Sequence, residues 1–318
     1  MSSVTFDGVT YAAEEGETVL EALLRHGVDV SYSCRTGICG ACEMVATAGT
    51  LSPQSQSAMP SNKRTVGHFR ACQCVVSDPI VIGASAEWCS AMIRERDMLS
   101  PRVLRLRVER PEWDYRAGQF VNIRNPDGVI RSYSIASEPS VGYLEFHVAR
   151  VEGGRFSQWL HDSAKVGQHL SMRGPDGSCF YESGKPEQPL LMIATGTGLA
   201  PLWGILETAL SAGHSGPITL MHGGRRAEDL YLVDEAQRLA ESQPNFQYVP
   251  VVKTAMVEGG IHGDLKSARP QVVGSCAGSR VFLCGNPDMV AQMRQDVFLA
   301  GADFQDILAD AFVRTSEI

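Results

Sequence analysis

The chain has 318 residues, enough for two or three domains, and a formal net charge of −8 with acidic and basic side chains interspersed. No lysine/arginine stripe runs along it, which disfavours a nucleic-acid partner, and no run of about 18 apolar residues occurs, so no membrane span is expected. Nine cysteines, an odd number behind an N-terminus with neither a basic nor an apolar leader, point to a reducing, cytoplasmic setting rather than a disulfide framework.

Residues 4–11 read as two β-rich stretches joined at Asp7-Gly8, a hairpin signal. A helix opens at Thr18, which is spaced from Glu21 as a capping box, and carries an apolar face of Val19, Leu20, Leu23 and Leu24 before a stop at Gly27. Cys34, Cys39 and Cys42 then share one short loop and Cys72 follows. This C-x4-C-x2-C…C spacing is the plant-type [2Fe–2S] ligand pattern. Zinc sites usually repeat C-x2-C or add histidines, and here C-x2-C occurs once. Gly37 and Gly40 let the loop turn back and bring peptide N–H groups to the sulfurs. Cys74 lies two residues beyond Cys72, so in an extended segment both would face one way and periodicity does not choose between them.

A hairpin, a short helix and a cysteine loop in that order make residues 1–82 resemble a β-grasp ferredoxin domain. The Arg70-Ala71-Cys72-Gln73 pattern of that family implies Cys34, Cys39, Cys42 and Cys72 as the metal ligands. Arg35, Thr36 and Ile38, which would cap the cluster, are then the expected surface for a partner. Ile80-Val81-Ile82 reads either as an extra edge strand or as the start of a linker that runs to about Cys89.

Across residues 90–184 the β signals are dense and short, at 103–108, 120–123 and 143–148. Strict alternation with Gly/Pro punctuation predicts antiparallel strands in a barrel. Within it lies Arg131-Ser132-Tyr133-Ser134, which by itself also fits a buried Arg–Tyr strand pair. Gly153-Gly154-Arg155-Phe156-Ser157 precedes a helix-like Gln158-Trp159-Leu160, where free N–H groups suit a phosphate. Together these resemble the flavin domain of the ferredoxin–NADP+ reductase superfamily. The resemblance implies FAD, with Arg131 at its phosphates, Tyr133 and Ser134 at the isoalloxazine, His147 and Val148 along the dinucleotide, and Gly154 and Ser157 at the pyrophosphate.

Residues 187–318 open with the apolar run Leu190-Leu191-Met192-Ile193-Ala194, the look of a strand buried on both faces. It leads into Thr195-Gly196-Thr197-Gly198-Leu199-Ala200-Pro201 and a helical stretch from Leu202; the glycines would let backbone approach a pyrophosphate. Further strand ends lead to Arg225-Arg226 and to Cys284-Gly285-Asn286-Pro287-Asp288-Met289. The latter resembles the superfamily's nicotinamide loop, which implies Cys284, Gly285 and Met289 at the nicotinamide, alongside Thr195, Gly196, Gly198 and Pro201. Asp310-Ala311-Phe312 resembles the superfamily's acidic-x-aromatic ending, implying Asp310 as a nicotinamide-positioning acid and Phe312 as a shield of the flavin face. Arg225 and Arg226 could hold a 2′-phosphate, but Glu228 and Asp229 follow and would repel it, so NADH is favoured.

The whole chain resembles the reductase component of bacterial multicomponent oxygenases, a ferredoxin domain fused to an FAD/NAD module. The implied fold is multidomain α+β and α/β: a β-grasp ferredoxin domain, an antiparallel flavin-binding β-barrel and a parallel-sheet nicotinamide-binding domain. The implied activity is an NADH-dependent oxidoreductase that takes electrons onto FAD at Ser134, Cys284 and Asp310. It would pass them singly through a [2Fe–2S] cluster to a terminal oxygenase or a separate ferredoxin, serving an aromatic-ring dioxygenase or related hydroxylase. The same chain of carriers also suits a deoxysugar dehydratase system, and a redox sensor would keep the cofactors without turnover.

Overall fold

The computed structural model describes residues 2–312 apart from 31, 33, 58, 60 and 85–87. The first of three sheets contains β1 (Ser3–Phe6), β2 (Val9–Ala12), β3 (Glu43–Ala48), β4 (His68–Arg70) and β5 (Ile80–Ala84), in the order β2-β1-β5-β3-β4. Asp7 and Gly8 both take positive φ, 50° and 79°, as a two-residue hairpin turn matched to strand twist requires. Helix α1 (Val19–Arg25) carries the reciprocal cap: Glu21 N donates to Thr18 Oγ1 at 3.3 Å and Thr18 N to Glu21 Oε2 at 2.9 Å. A shorter helix, α2 (Ser61–Thr65), precedes β4. The edge-strand expectation for residues 80–82 is corrected. β5 lies between β1 and β3, parallel to one and antiparallel to the other. Ile80 and Ile82 are buried in the core there, a burial that one sheet neighbour alone would not complete.

The second sheet comprises β6 (Cys89–Ser100), β7 (Val103–Glu109), β8 (Phe120–Arg124), β9 (Ile130–Ser134), β10 (Tyr143–Ala149) and β11 (His169–Asp176), antiparallel in the order β10-β7-β6-β11-β8-β9. Ala136, just past β9, donates its N–H to Glu145 O on β10 at 2.8 Å, so the two ends of that order meet. Helix α3 (Arg155–Asp162) buries Phe156 and Leu160 in the barrel core. Along β10, Leu144, Phe146 and Val148 fill the core while Glu145 and His147 point outward. That outer face is covered by the third domain.

The third sheet is parallel throughout: β12 (Leu190–Thr195), β13 (Ile218–Gly224), β14 (Phe246–Val252), β15 (Ile261–His262), β16 (Arg280–Gly285) and β17 (Ile307–Ala311), ordered β15-β14-β13-β12-β16-β17. Helices α4 (Leu199–Ser211), α5 (Val233–Ser242), α6 (Leu265–Val272) and α7 (Pro287–Leu299) connect it. The chain steps outward from β12 to β15, then returns to β16 on the other side of β12. Between β12 and β16 the order reverses, and at such a switch point the carboxyl ends of the strands open a ligand crevice. Among the described residues no helix is long and apolar enough to cross a membrane.

Helix α4 begins at Leu199, three residues earlier than the sequence suggests, because Gly196–Gly198 form one 3-10 turn leading straight into it. Pro201 thereby falls in the first turn, where its missing N–H has no helical partner to lose. A Cβ on Gly198 would lie 2.2 Å from Cys284 O, and one on Gly285 would lie 2.5 Å from Thr195 O. The loops after β12 and β16 therefore touch backbone to backbone. Gly198→Ala is expected to destabilise the fold by about 1–3 kcal/mol through overpacking, read as a lower Tm; an unchanged Tm would contradict this contact.

Candidate active site and cluster loop

The cysteine loop gathers its thiols in two pairs. Cys34 lies beside Cys39, and Cys42 beside Cys72. Cys34 Sγ accepts backbone N–H groups from Thr36 and Cys39, each at 3.4 Å, and Cys39 Sγ accepts from Cys34 N at 3.4 Å. In each pair one thiol is held low by its neighbour's hydrogen bond, Cys34 down to about 4 and Cys72 down to about 7. The same bonds, with burial, push Cys39 and Cys42 up. Two thiol pairs with amide donors on sulfur suit two irons.

Cys74 is separated from Cys72 because Ala71–Gln73 form a 3-10 turn rather than extended chain. It is packed in the core of the first domain, where its carbonyl accepts from Val19 N at 2.8 Å.

The flavin tetrapeptide lies on β9. Tyr133 packs its ring on Phe156 with centroids 5.5 Å apart. Ser134 is buried and donates from Oγ to Asp310 Oδ2 at 2.8 Å, across 176 positions of sequence. Asp310 sits on β17 directly beside Cys284 of β16. Burial pushes the Asp310 carboxyl up to about 6, against the pull of the Ser134 hydrogen bond. Cys284 is fully buried, its Sγ 3.7 Å from Cys179 Sγ, and burial raises its thiol well above the usual range. Thus β9, β16 and β17 bring the three candidate catalytic residues into one place. Phe312 follows with its N–H on Gly285 O at 2.8 Å.

Other candidates are positioned less directly. His147 has its side chain turned out of the barrel: Nε2 lies 2.9 Å from the Glu145 carboxylate and Nδ1 3.0 Å from the Tyr231 hydroxyl. A carboxylate only accepts, so the Nε2 that faces Glu145 carries a proton. Val148 fills the barrel core and its carbonyl bonds His161 Nε2 at 3.0 Å. Arg131 is half-buried on β9 and bonds its neighbour Ile130 O at 2.8 Å. Gly154 caps α3, and Ser157 Oγ closes that turn by accepting from Val151 N at 3.1 Å. In the third domain the crevice at the switch point is flanked by Thr195 and Gly196, whose missing side chain leaves open space, while Gly198 and Gly285 are engaged in packing. Met289 is held in the first turn of α7, where Asn286 caps its N–H. Arg225 is exposed, and Arg226 pairs with Glu228 at 3.0 Å.

The domains converge on a cleft of about 160 Å³, lined by Ile38 of the cysteine loop, Phe120 and Cys179 of the barrel domain, and Asp310 of the third sheet. Ile38, expected on the partner surface, therefore also faces this junction. Asn122 on β8 donates from Nδ2 to Cys39 O at 3.2 Å and accepts on Oδ1 from Ser132 Oγ at 2.7 Å. Arg173 on β11 donates to the carbonyls of Gly40 and Ala41. Arg70 is buried in ion pairs with Glu43 and with Asp176, the latter at 3.0 Å. Sequence reasoning missed Asn122, Arg173 and Asp176, since each sits on a strand with nothing local to mark it.

The profile of the 2Fe-2S iron-sulfur cluster binding domain matches residues 4–77, that of the oxidoreductase FAD-binding domain residues 91–181, and that of the oxidoreductase NAD-binding domain residues 192–295. The phenol hydroxylase P5 protein of Acinetobacter pittii is 30% identical over 98% of this chain and 93% of its own. The ferredoxin–NAD(P)+ reductase component of the naphthalene 1,2-dioxygenase system of Pseudomonas putida is 30% identical over 93% of this chain and 94% of its own. The chain belongs to the family of oxygenase reductase components. The solved cytochrome P450 reductase of Amycolatopsis superposes with a TM-score of 0.70 at 29% identity, covering 98% of this chain and 99% of that one. The reductase thus carries a [2Fe–2S] domain, an FAD domain and an NAD domain, in the architecture the sequence implied.

Above about pH 6 the Asp310 carboxylate is ionised and accepts from Ser134; below it the bound proton turns one oxygen into a donor and frees the serine. The rate of flavin reduction by NADH is expected to fall as pH drops through about 6, and Asp310→Asn to flatten that limb. A native profile without the limb, or one that the variant retains, would contradict this role.

Proposed function

We propose that the reductase receives electrons from NADH at Ser134, Cys284 and Asp310 and delivers them from the cysteine loop to an oxygenase component, of an aromatic-ring dioxygenase or related hydroxylase. The bound groups supply the redox chemistry: NADH gives two electrons at once, FAD accepts a pair and gives single electrons, and the [2Fe–2S] cluster carries one at a time. The chain's part is to bind, orient and exclude water. Ser134 and Asp310 hold one polar edge of the reacting site, buried Cys284 closes it from behind, and Arg131 and the α3 turn bind flavin phosphates. One observation carries the coupling of the two centres: the Ser132–Asn122–Cys39 hydrogen-bond relay ties the flavin motif to a candidate cluster ligand. Exit through the cluster fits the exposed Arg35 and Thr36 on the loop. The names of the phenol hydroxylase and naphthalene dioxygenase relatives support an oxygenase as acceptor.

Preference for NADH rests on the acidic surroundings of the arginine pair. Glu228 already pairs Arg226, and Asp229 accepts its backbone N–H at 2.9 Å. A 2′-phosphate at Arg226 would have to displace Glu228 and would meet the Asp229 carboxylate beside it. NADPH is therefore expected to give a kcat/KM at least about tenfold lower than NADH, the worth of one charged hydrogen bond; equal values would overturn the preference.

Cys72→Ser is expected to abolish NADH:cytochrome c activity while sparing reduction of a flavin-level acceptor such as ferricyanide, and Cys74→Ser to keep both. Loss of both activities in the Cys72 variant, with FAD bound and the fold intact, would contradict the order of flow. Loss of iron from the Cys74 variant would contradict the ligand set.

A further inference from the structure

Gly40 and Ala41 lie between the second and third cysteines of the loop, where a cluster's sulfurs would be close to the backbone. One guanidinium takes both of their carbonyls: Arg173 Nη2 lies 3.1 Å from Gly40 O and 2.5 Å from Ala41 O. It reaches them from β11 of the flavin barrel. Its plane is fixed by Trp88, whose ring centroid lies 5.0 Å from the Arg173 guanidinium and 4.6 Å from that of Arg124. The neighbouring Arg70 is neutralised by Glu43 and Asp176. Arg173, by contrast, has no carboxylate within ion-pairing distance among the described residues; Glu43 acts on its charge from farther away, ahead of the thiols of Cys42 and Cys39.

An unpaired, half-buried cation held against the cluster loop has a direct electrostatic consequence. Each electron added to a thiolate-ligated cluster makes the site one unit more negative, and nearby positive charge favours that form. A strand of the flavin barrel thus supplies both the hydrogen bonds that fix the loop and the charge that eases its reduction.

We propose that Arg173 is the positioning residue that couples the cluster to the flavin: it holds the Gly40–Ala41 backbone and raises the cluster's reduction potential, so that flavin-to-cluster transfer runs downhill. The inference rests on the electron order proposed above. The step moves one electron, from flavin reduced by NADH to one ferric iron, which becomes ferrous; no bond forms or breaks.

The test is a potentiometric titration of the holoprotein with mediators and dithionite, following the reduced cluster by electron paramagnetic resonance. Arg173→Gln should shift the one-electron equilibrium roughly tenfold against the cluster, a fall of about 59 mV. Arg173→Lys keeps the charge but not the fork, so its potential should stay within about threefold of native in the same terms. Equal falls in both variants would reduce Arg173 to a structural clamp and overturn the proposal, as would unchanged potentials in both. Should the Gln variant fail to retain its irons, Arg173→Met takes its place: a tenfold shift relative to the Lys variant supports the proposal, and a potential equal to it overturns the proposal. Because dithionite replaces NADH, this result is independent of the electron order. That order fails separately if anaerobic NADH reduces the native flavin but never the cluster.

Discussion

A single hydrogen bond from Ser134 to Asp310 joins the flavin barrel to the last strand of the nicotinamide sheet. The ferredoxin domain and the barrel each have a core of their own, whereas the core of the third domain also takes in Val103, Cys179 and Tyr181 from the barrel domain. The chemistry has no such independence. A site that receives electrons from a nicotinamide must have one wall from the barrel and one from the parallel sheet, and this bond sets the two walls in register. Its partial burial is what raises Asp310, so the same contact that aligns the walls also makes the carboxyl sensitive to mildly acidic pH.

The barrel acts as the hub. Through β10 it faces the nicotinamide domain, where Arg107, Glu145, His147 and Tyr231 form a continuous chain of hydrogen bonds at 2.6, 2.9 and 3.0 Å. Through β8 and β11 it faces the ferredoxin domain, where Asn122 and Arg173 grip backbone carbonyls of the cysteine loop. Gripping carbonyls rather than side chains makes the docking depend on the backbone shape of the loop.

Local features were legible wherever the chemistry is local. The Asp7-Gly8 turn and the Thr18–Glu21 cap form as their spacing predicts, and the continuous apolar run of β12 is a strand covered on both faces. Other residues answer to something distant. Gly198 was read as letting backbone approach a pyrophosphate and Gly285 as part of a nicotinamide loop; each also makes space for the backbone of the other's loop. His147 was read as lining a dinucleotide, and strand alternation turns it outward onto Tyr231. Residues 80–82 were read as an edge strand or the start of a linker, although their apolar side chains belong to the middle of a sheet.

The sequence by itself determined the three domains, their order and the groups they bind, because ligand spacings, Gly-rich turns and strand periodicities are written in consecutive residues. Only the tertiary structure decided which wall meets which. Nothing in the local pattern marks Asn122 or Arg173, and the motif that marks Asp310 does not name Ser134; their partners lie 83, 133 and 176 positions away. Contacts of that range are set by how separately formed cores pack together, which no short window of residues encodes.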